Sequence, residues 1–491
     1  MKITTKFAAM ERVGVIDVGS NSVRMVVFDG AARSPAYFYN EKVMCGLGRG
    51  IAESGRLNPE GRVRALDAMI RFAAIAESFR VQSMTAVATA AVREAEDGPA
   101  FCAEVLEKTG ITVSVASGVD EARLSAQGVL LGWPEANGLV SDIGGASMEL
   151  AELSQGTIGE RLTSSLAPLR LAGVKGDLDA HIRTTLIELR KQLSGSYSTL
   201  YLVGGSYRAI AKLDMARRDY PLQVLHEYNL GRDQLSETLD WIEGASMDEF
   251  RALSSTSEAR LTLVPTAARV LRHLVDVFDP KVAAISSYGL REGLLYEQMP
   301  EELRARDPLI EACMFSERTS ARFPGFGFEL AQWILPLLPD PDRWERITLA
   351  AALLHDVSWR SDPSSRAEEC FDNASRGNLG GLDHSGRVLL AMALLHRYRK
   401  SGKLDRYKAL RPLLNDEQHL GAQVIGQAMR LGASLAGGDA SVLRRAKLVL
   451  TDGLLDLQLP ADVVRFGGEI VSTRLAELAE SMGRDSRVTH I

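Results

Sequence analysis

The stretch Val13-Gly-Val-Ile-Asp-Val-Gly-Ser-Asn-Ser-Val-Arg-Met-Val-Val-Phe28 decides the fold. Two apolar runs rich in β-branched residues flank the small-residue turn Gly19, Ser20, Asn21, Ser22. Turn residues between β-rich runs read as a hairpin. The pattern returns further along: Val140-Ser-Asp142-Ile-Gly144-Gly-Ala-Ser147 repeats the apolar strand, the Asp, the apolar residue, the Gly and the small residues. Asp17 and Asp142 stand 125 positions apart. A repeat this long points to two related α/β lobes rather than a solenoid.

Outward from the first hairpin, a third strand is expected over residues 36–42. Asn58-Pro59 opens a helix, since Asn caps well and Pro is tolerated at the first helical position. Val63, Leu66, Met69, Ile70 and Ala73 follow at helical spacing and predict its buried stripe. A strand over 84–89, a helix over 99–109 and a strand over 111–116 come next. After the second hairpin follow a helix near 176–193, a strand over 199–203, a helix entered through Gly204-Gly205, and a strand over 281–287 leading into Gly289-Leu-Arg-Glu-Gly293. Strands alternating with helices mark α/β architecture. From about residue 306 the texture turns Leu/Ala-rich and helical, and an all-α domain is expected there. The expected layout is one lobe over 1–132, joined by the helix of 288–305, a second lobe over 133–305, and the helical domain over 306–491.

Composition narrows the classes. The 491 residues are 46% hydrophobic and 24% charged, as in ordinary globular proteins. No run of about 18 apolar residues is present, so no membrane span is expected. Residues 1–12 lack the apolar core of a secretory signal. Cys45, Cys102, Cys313 and Cys370 show no CxxC spacing, which predicts thiols in a reducing compartment, the cytoplasm. A net charge of −6 does not suit indiscriminate nucleic-acid binding, and no nucleic-acid partner is expected.

The chemistry concentrates in the turns. Gly lets backbone approach a ligand, and exposed amides can cradle phosphate oxygens. The Asp ending each preceding strand suits Mg²⁺, which takes a few carboxylates beside waters and substrate phosphates. Ser117 and Asp120 have capping-box spacing, which places Glu121 in a first helical turn. There the helix dipole favours a carboxylate whatever its role. Beside a cleft the same group can take a proton from an attacking water. Arg24, Arg93, Arg208, Arg260 and Arg291 lie near turns or helix starts, and guanidinium binds phosphate in bidentate fashion. His355-Asp356 is a pair able to ligate metal, but residues 306–354 supply no further His. No GxSxG, Walker or GxGxxG pattern appears.

The segments Val15–Ser22, Ala88-Thr-Ala-Ala-Val-Arg93, Ser117-Gly-Val-Asp-Glu-Ala-Arg123, Asp142-Ile-Gly-Gly-Ala-Ser-Met-Glu149 and Gly289–Gly293 together resemble the exopolyphosphatase / guanosine pentaphosphate phosphatase (Ppx/GppA) family, in the family's order over about residues 12–300. The resemblance implies two actin-like ATPase (ribonuclease H-like) lobes around a cleft, followed by an HD-like helical domain. It implies Glu121 as catalytic base, Asp142, Glu149 and Asp17 for Mg²⁺, and phosphate contacts from Gly19, Ser20, Asn21, Ser22, Arg24, Arg93, Gly144, Gly145, Ala146, Ser147 and Arg260. It also implies a homodimer paired through the helical domain. Two departures stand out: Ala146 where the family has Gly, and Met148 where it has Thr.

The expected function is Mg²⁺-dependent removal of terminal phosphate from inorganic polyphosphate. Three others compete: a 5′-phosphohydrolase of pppGpp, a sugar kinase or actin-like ATPase, and a non-catalytic sensor of polyphosphate or alarmone. Arg-dense stretches, Arg397-Tyr-Arg-Lys400 and Arg444-Arg-Ala-Lys447, predict extra positive surface for a long polyanion in the helical domain.

Overall fold

The computed structural model describes residues 12–30, 32–398 and 405–491. The chain forms two compact units, one ending at Arg306 and the other beginning at Asp307, with Pro221–Val224 counted in the second.

In the first unit, β1 (Val13–Val18), β2 (Ser22–Phe28), β3 (Tyr37–Met44), β4 (Ser83–Ala88) and β5 (Val113–Val115) lie in the order β3-β2-β1-β4-β5. A second sheet holds β6 (Gly138–Ile143), β7 (Met148–Ser154), β8 (Thr157–Ser164), β9 (Thr199–Val203), β10 (Tyr228–Gly231) and β11 (Val282–Ile285), in the order β10-β11-β9-β6-β7-β8. Counted from β8, it repeats the first sheet: an antiparallel meander, then parallel strands, with β10 added antiparallel at the edge. The repeated sequence is therefore a repeated topology.

Between the sheets runs the helix Gly118–Gly132. Leu124 and Leu131 pack with Val13, Val15, Val26 and Phe28 of the first sheet. Ala122, Ala126 and Val129 pack with Val140, Ala151 and Val203 of the second. Two buried faces explain why this helix carries no polar stripe beyond its first turn. The helix Leu290–Glu297 crosses it backbone to backbone. A Cβ on Gly128 would strike the carbonyl of Gly289, and one on Gly293 the carbonyl of Leu124. Arg33, almost wholly buried, ties this assembly together. Its Nη1 donates to Leu131 O at 2.5 Å and its Nη2 to Leu130 O at 3.2 Å, while its Nε donates to Arg304 O and Arg306 O at 3.1 and 3.0 Å.

The helix Pro59–Ser78 starts as expected, with Asn58 Oδ1 accepting from Gly61 N at 2.8 Å. Its buried stripe is rotated from the expected one. Ala65, Leu66, Ala68, Met69 and Phe72 face the core, whereas Val63 and Ile70 are exposed. Phe72, the largest apolar side chain on the helix, takes the interior position.

The second unit is mainly helical, including Pro341–Leu354, His384–Tyr398 and Asp416–Ala436. It is not all-helical. β12 (Lys447–Thr451), β13 (Leu454–Leu459) and β14 (Asp485–His490) form a small sheet in the order β12-β13-β14. Two short alternating runs around Asp452-Gly453 are a hairpin signal, hidden in the sequence by the surrounding Leu-rich helices. His355 and Asp356 are buried and engaged within this unit. Asp356 accepts from Arg322 Nε at 2.9 Å, and His355 Nδ1 lies 2.6 Å from Ala352 O. Burial pulls the imidazole down to about 4, so it stays neutral. The Arg-dense stretches are only partly described, and their exposed arginines are engaged in ion pairs. Arg444 is paired with Glu329 and Arg445 with Asp462, and Arg397 Nε is shielded from solvent. Arg399 and Lys400 lie outside the described residues. Among the described residues no helix is long and apolar enough to cross a membrane.

Candidate active site

The two small-residue turns have the same construction. Gly19 N donates to Ser22 O at 3.0 Å, and Gly144 N to Ser147 O at 2.9 Å. In each, the carbonyls are turned toward a supporting segment. Ser20 O accepts from Gly48 N at 2.8 Å and Asn21 O from Cys45 N at 3.0 Å. Gly145 O accepts from Leu169 N at 3.3 Å and Ala146 O from Arg170 Nε at 3.2 Å. Among the described residues no protein acceptor takes the amides of Ser20, Asn21, Gly145 or Ala146. Paired donors of this kind suit an anion.

Neither family departure strains the fold. Met148 is fully buried and packs with Leu139, Leu150 and Leu202 on the core side of β7. Glu149, the next residue, points to the opposite face by strand alternation. Ala146 takes no positive φ, so its Cβ adds no backbone strain.

Glu121 sits in the first turn of Gly118–Gly132, behind the capping box of Ser117 and Asp120. Its carboxylate is paired with Arg93, whose Nη1 also donates to Ala116 O at 2.7 Å. Burial pushes the Glu121 carboxyl up to about 7 against the pull of Arg93, with Asp142 and Asp17 adding to the rise. Asp142 ends β6 and accepts from Ser125 Oγ. Burial raises it too, opposed by Ser125, Arg208 and Arg291. Glu149 accepts from Thr163 Oγ1 at 3.2 Å. Burial lifts it well above the carboxylate range, and Glu121 and Asp142 lift it further. Asp17 Oδ2 accepts from Arg291 Nη1 at 2.9 Å. The four carboxylates expected from the sequence thus lie within reach of one another's charge.

Cations rim this group. Arg24 Nε donates to Asn40 Oδ1 at 2.8 Å. Arg208 Nη1 donates to Ser287 O at 2.8 Å. Arg260 lies over Gly205, where any Cβ would collide with its guanidinium. At Gly204, with φ of 107°, a Cβ would meet Ile143 O at 2.5 Å and Asp142 Oδ1 at 3.0 Å. Gly204 is therefore dictated by its backbone and its close approach, whereas a side chain at Gly205 would displace the mobile end of Arg260. Across the two lobes Arg170 is paired with Glu94.

Sequence reasoning missed Ser125 and Arg170. Ser125 was findable: it follows Glu121 by four residues and shares its helix face. The Arg170–Glu94 pair left no signal, being set by how the lobes meet.

Comparisons with known proteins agree with this geometry. Residues 26–302 match the model of the Ppx/GppA phosphatase family, and residues 329–489 match one described as exopolyphosphatase, C-terminal. Exopolyphosphatase 1 of Mycobacterium tuberculosis is 26% identical over 332 residues, covering 64% of this chain and 95% of that protein. A guanosine-5′-triphosphate,3′-diphosphate pyrophosphatase of Aeromonas hydrophila is 25% identical over 416 residues, covering 79% and 81%. The crystal structure of the Aquifex aeolicus Ppx/GppA family member aligns with a TM-score of 0.53 at 22% identity, covering 59% of this chain and 97% of that one. That likeness shows the fold: two actin-like lobes.

Proposed function

Because this chain belongs to the Ppx/GppA phosphatase family, we propose that it is an exopolyphosphatase, which hydrolyses the terminal phosphoanhydride of inorganic polyphosphate in the cleft between the two turns. The observation that carries this reading is that Glu121, Asp142 and Glu149 feel one another's charge, in a chain whose two small-residue turns leave their amides free for phosphate oxygens.

In hydrolysis the water oxygen bonds to the terminal phosphorus as the bond from that phosphorus to the bridging oxygen breaks. The water's proton passes to Glu121, and the shortened chain leaves with the bonding electrons on its oxygen. Glu121 is suited to this because burial holds its proton affinity near neutrality, where a base both ionises and accepts. Arg93 fixes the carboxylate's orientation. The turn amides, Arg24 and Arg260 hold the phosphates in line.

The donor set fits Mg²⁺. Asp142, Glu149 and Asp17 offer hard carboxylate oxygens, and the proton affinity of Asp142 and Glu149, raised by burial and then by neighbouring carboxylates, is a cost that a bound cation would relieve. Asp142, Glu149 and Asp17 feel one another's charge, but among the described residues no three His, Cys, Asp or Glu side chains stand close enough to hold an ion by themselves, so waters and substrate phosphate oxygens would have to complete its shell. When bound, Mg²⁺ supplies neutralisation of charge on the phosphoryl oxygens. Asp142→Asn is expected to abolish Mg²⁺ stimulation, whereas His355→Ala retains it as long as the variant folds. Mg²⁺ titration of phosphate release checks this, and the reverse pattern would move the metal to the helical unit.

A second reading, pppGpp 5′-phosphohydrolase, draws support from the Aeromonas relative, which aligns over more of this chain than the mycobacterial one does. Phosphate release from long-chain polyphosphate and from pppGpp, side by side with Mg²⁺ and with EDTA, decides between them. A cytoplasmic homodimer belongs to the same proposal, and sedimentation analysis tests the pairing.

A further inference from the structure

The strand register places three charged residues in one row. Asp17 on β1 is the partner of Arg24 on β2, and Arg24 is the partner of Lys42 on β3. Directly opposed residues in neighbouring strands carry their side chains on one face. Strands stand about 4.8 Å apart, so the row extends roughly 10 Å from Asp17 to Lys42. Its inner end is fixed in the cleft by the Asp17–Arg291 pair. Its outer end, Lys42, is exposed on the edge strand, and desolvation together with the charges of Arg260, Arg24 and Arg291 lowers the proton affinity of its ammonium.

Carboxylates serve the inner end of the row. Arg291 is paired with Asp17, and the charge of Glu292 reaches both Arg291 and Arg24, whose own hydrogen bond goes to the neutral amide of Asn40. Among the described residues, neither Lys42 nor Arg260 makes an ion pair. Like charges directly opposite across strands are destabilising. Here the fold sets Arg24 against Lys42 and brings Arg260 of the other lobe to the same place.

We infer that Lys42 is a substrate-positioning residue, forming with Arg24 and Arg260 an outer anion subsite that grips the phosphates following the one being released. This rests on the polyphosphate reading above, and it places positive surface for a long chain within the first unit. β3 is an edge strand, and edge strands also carry lysine merely to deter pairing with other chains. That role would leave polyanion affinity untouched.

The test uses the full-length chain in a Glu121→Gln background, so that binding is read without turnover. Dissociation constants for long-chain polyphosphate and for triphosphate are measured from low to high salt. Lys42→Ala is expected to weaken long-chain binding about five- to tenfold at low salt, and to flatten the slope of log K against log salt by about 0.7, the loss of one phosphate contact. Triphosphate binding should change less, and Lys42→Arg should restore both values. Lys108→Ala, on a helix away from the row, controls for net charge. In the active enzyme, Lys42→Ala should raise KM for long chains more than it lowers kcat. Equal affinity and equal slope in Lys42→Ala and Lys108→Ala would overturn the inference alone. A Glu121→Gln parent that binds no polyphosphate would overturn the polyphosphate reading and the inference with it.

Discussion

Glu121→Gln is expected to lower kcat for phosphate release by about 10²–10⁴-fold while leaving the fold intact, the usual range for loss of a general base. Gln keeps the shape of Glu and can still accept a hydrogen bond from Arg93, so the first turn of Gly118–Gly132 and its capping box persist. Only the proton acceptor is lost. The same group sets a pH limb. Burial raises the Glu121 carboxyl to about 7, so in the free enzyme the protonated, inactive form dominates below that value. kcat/KM should therefore fall about tenfold per pH unit on the acid side and level off above it. Initial rates across pH, with a thermal melt of each variant, check both statements. A Glu121→Gln enzyme keeping more than half of normal turnover would remove Glu121 from the role of base.

The largest expected loss of stability comes from Arg33→Ala. Four backbone carbonyls, of Leu130, Leu131, Arg304 and Arg306, take hydrogen bonds from this one buried guanidinium. Truncation strands them in a site too enclosed for full hydration, at about 1–3 kcal/mol for each group that finds no substitute. Some recover water, and a net cost of about 3–5 kcal/mol is expected. For a unit of this size that lowers Tm by roughly 10 °C. Calorimetry of the full chain reads it directly, and a shift under about 2 °C would mean that the carbonyls are satisfied otherwise.

Much of this architecture was legible in the sequence. The two Asp–Gly–Ser hairpins announced a duplicated lobe, and the duplication reappears as one sheet order used twice. Glu121 was placed by its capping box, a local rule that needs no tertiary information. What stayed hidden depended on register or on lobe contact. Lys42 looks like any surface lysine until β3 is aligned with β2 opposite Arg24. The stripe of Pro59–Ser78 was misjudged because periodicity fixes the angular width of a buried face but not its direction, which Phe72 decides. The hairpin of β12 and β13 was masked by Leu-rich neighbours, where short apolar runs suit helix and strand alike.

Arg170 and Glu94 join the lobes, and both side chains are more than a third exposed. An ion pair so wetted contributes about 0–1 kcal/mol and is screened by salt. By itself it biases the fastened state over the loosened one by no more than about fivefold. Arg170 also steadies the carbonyl of Ala146. Rising ionic strength, by loosening the pair, also frees the side chain that props this carbonyl of the second turn.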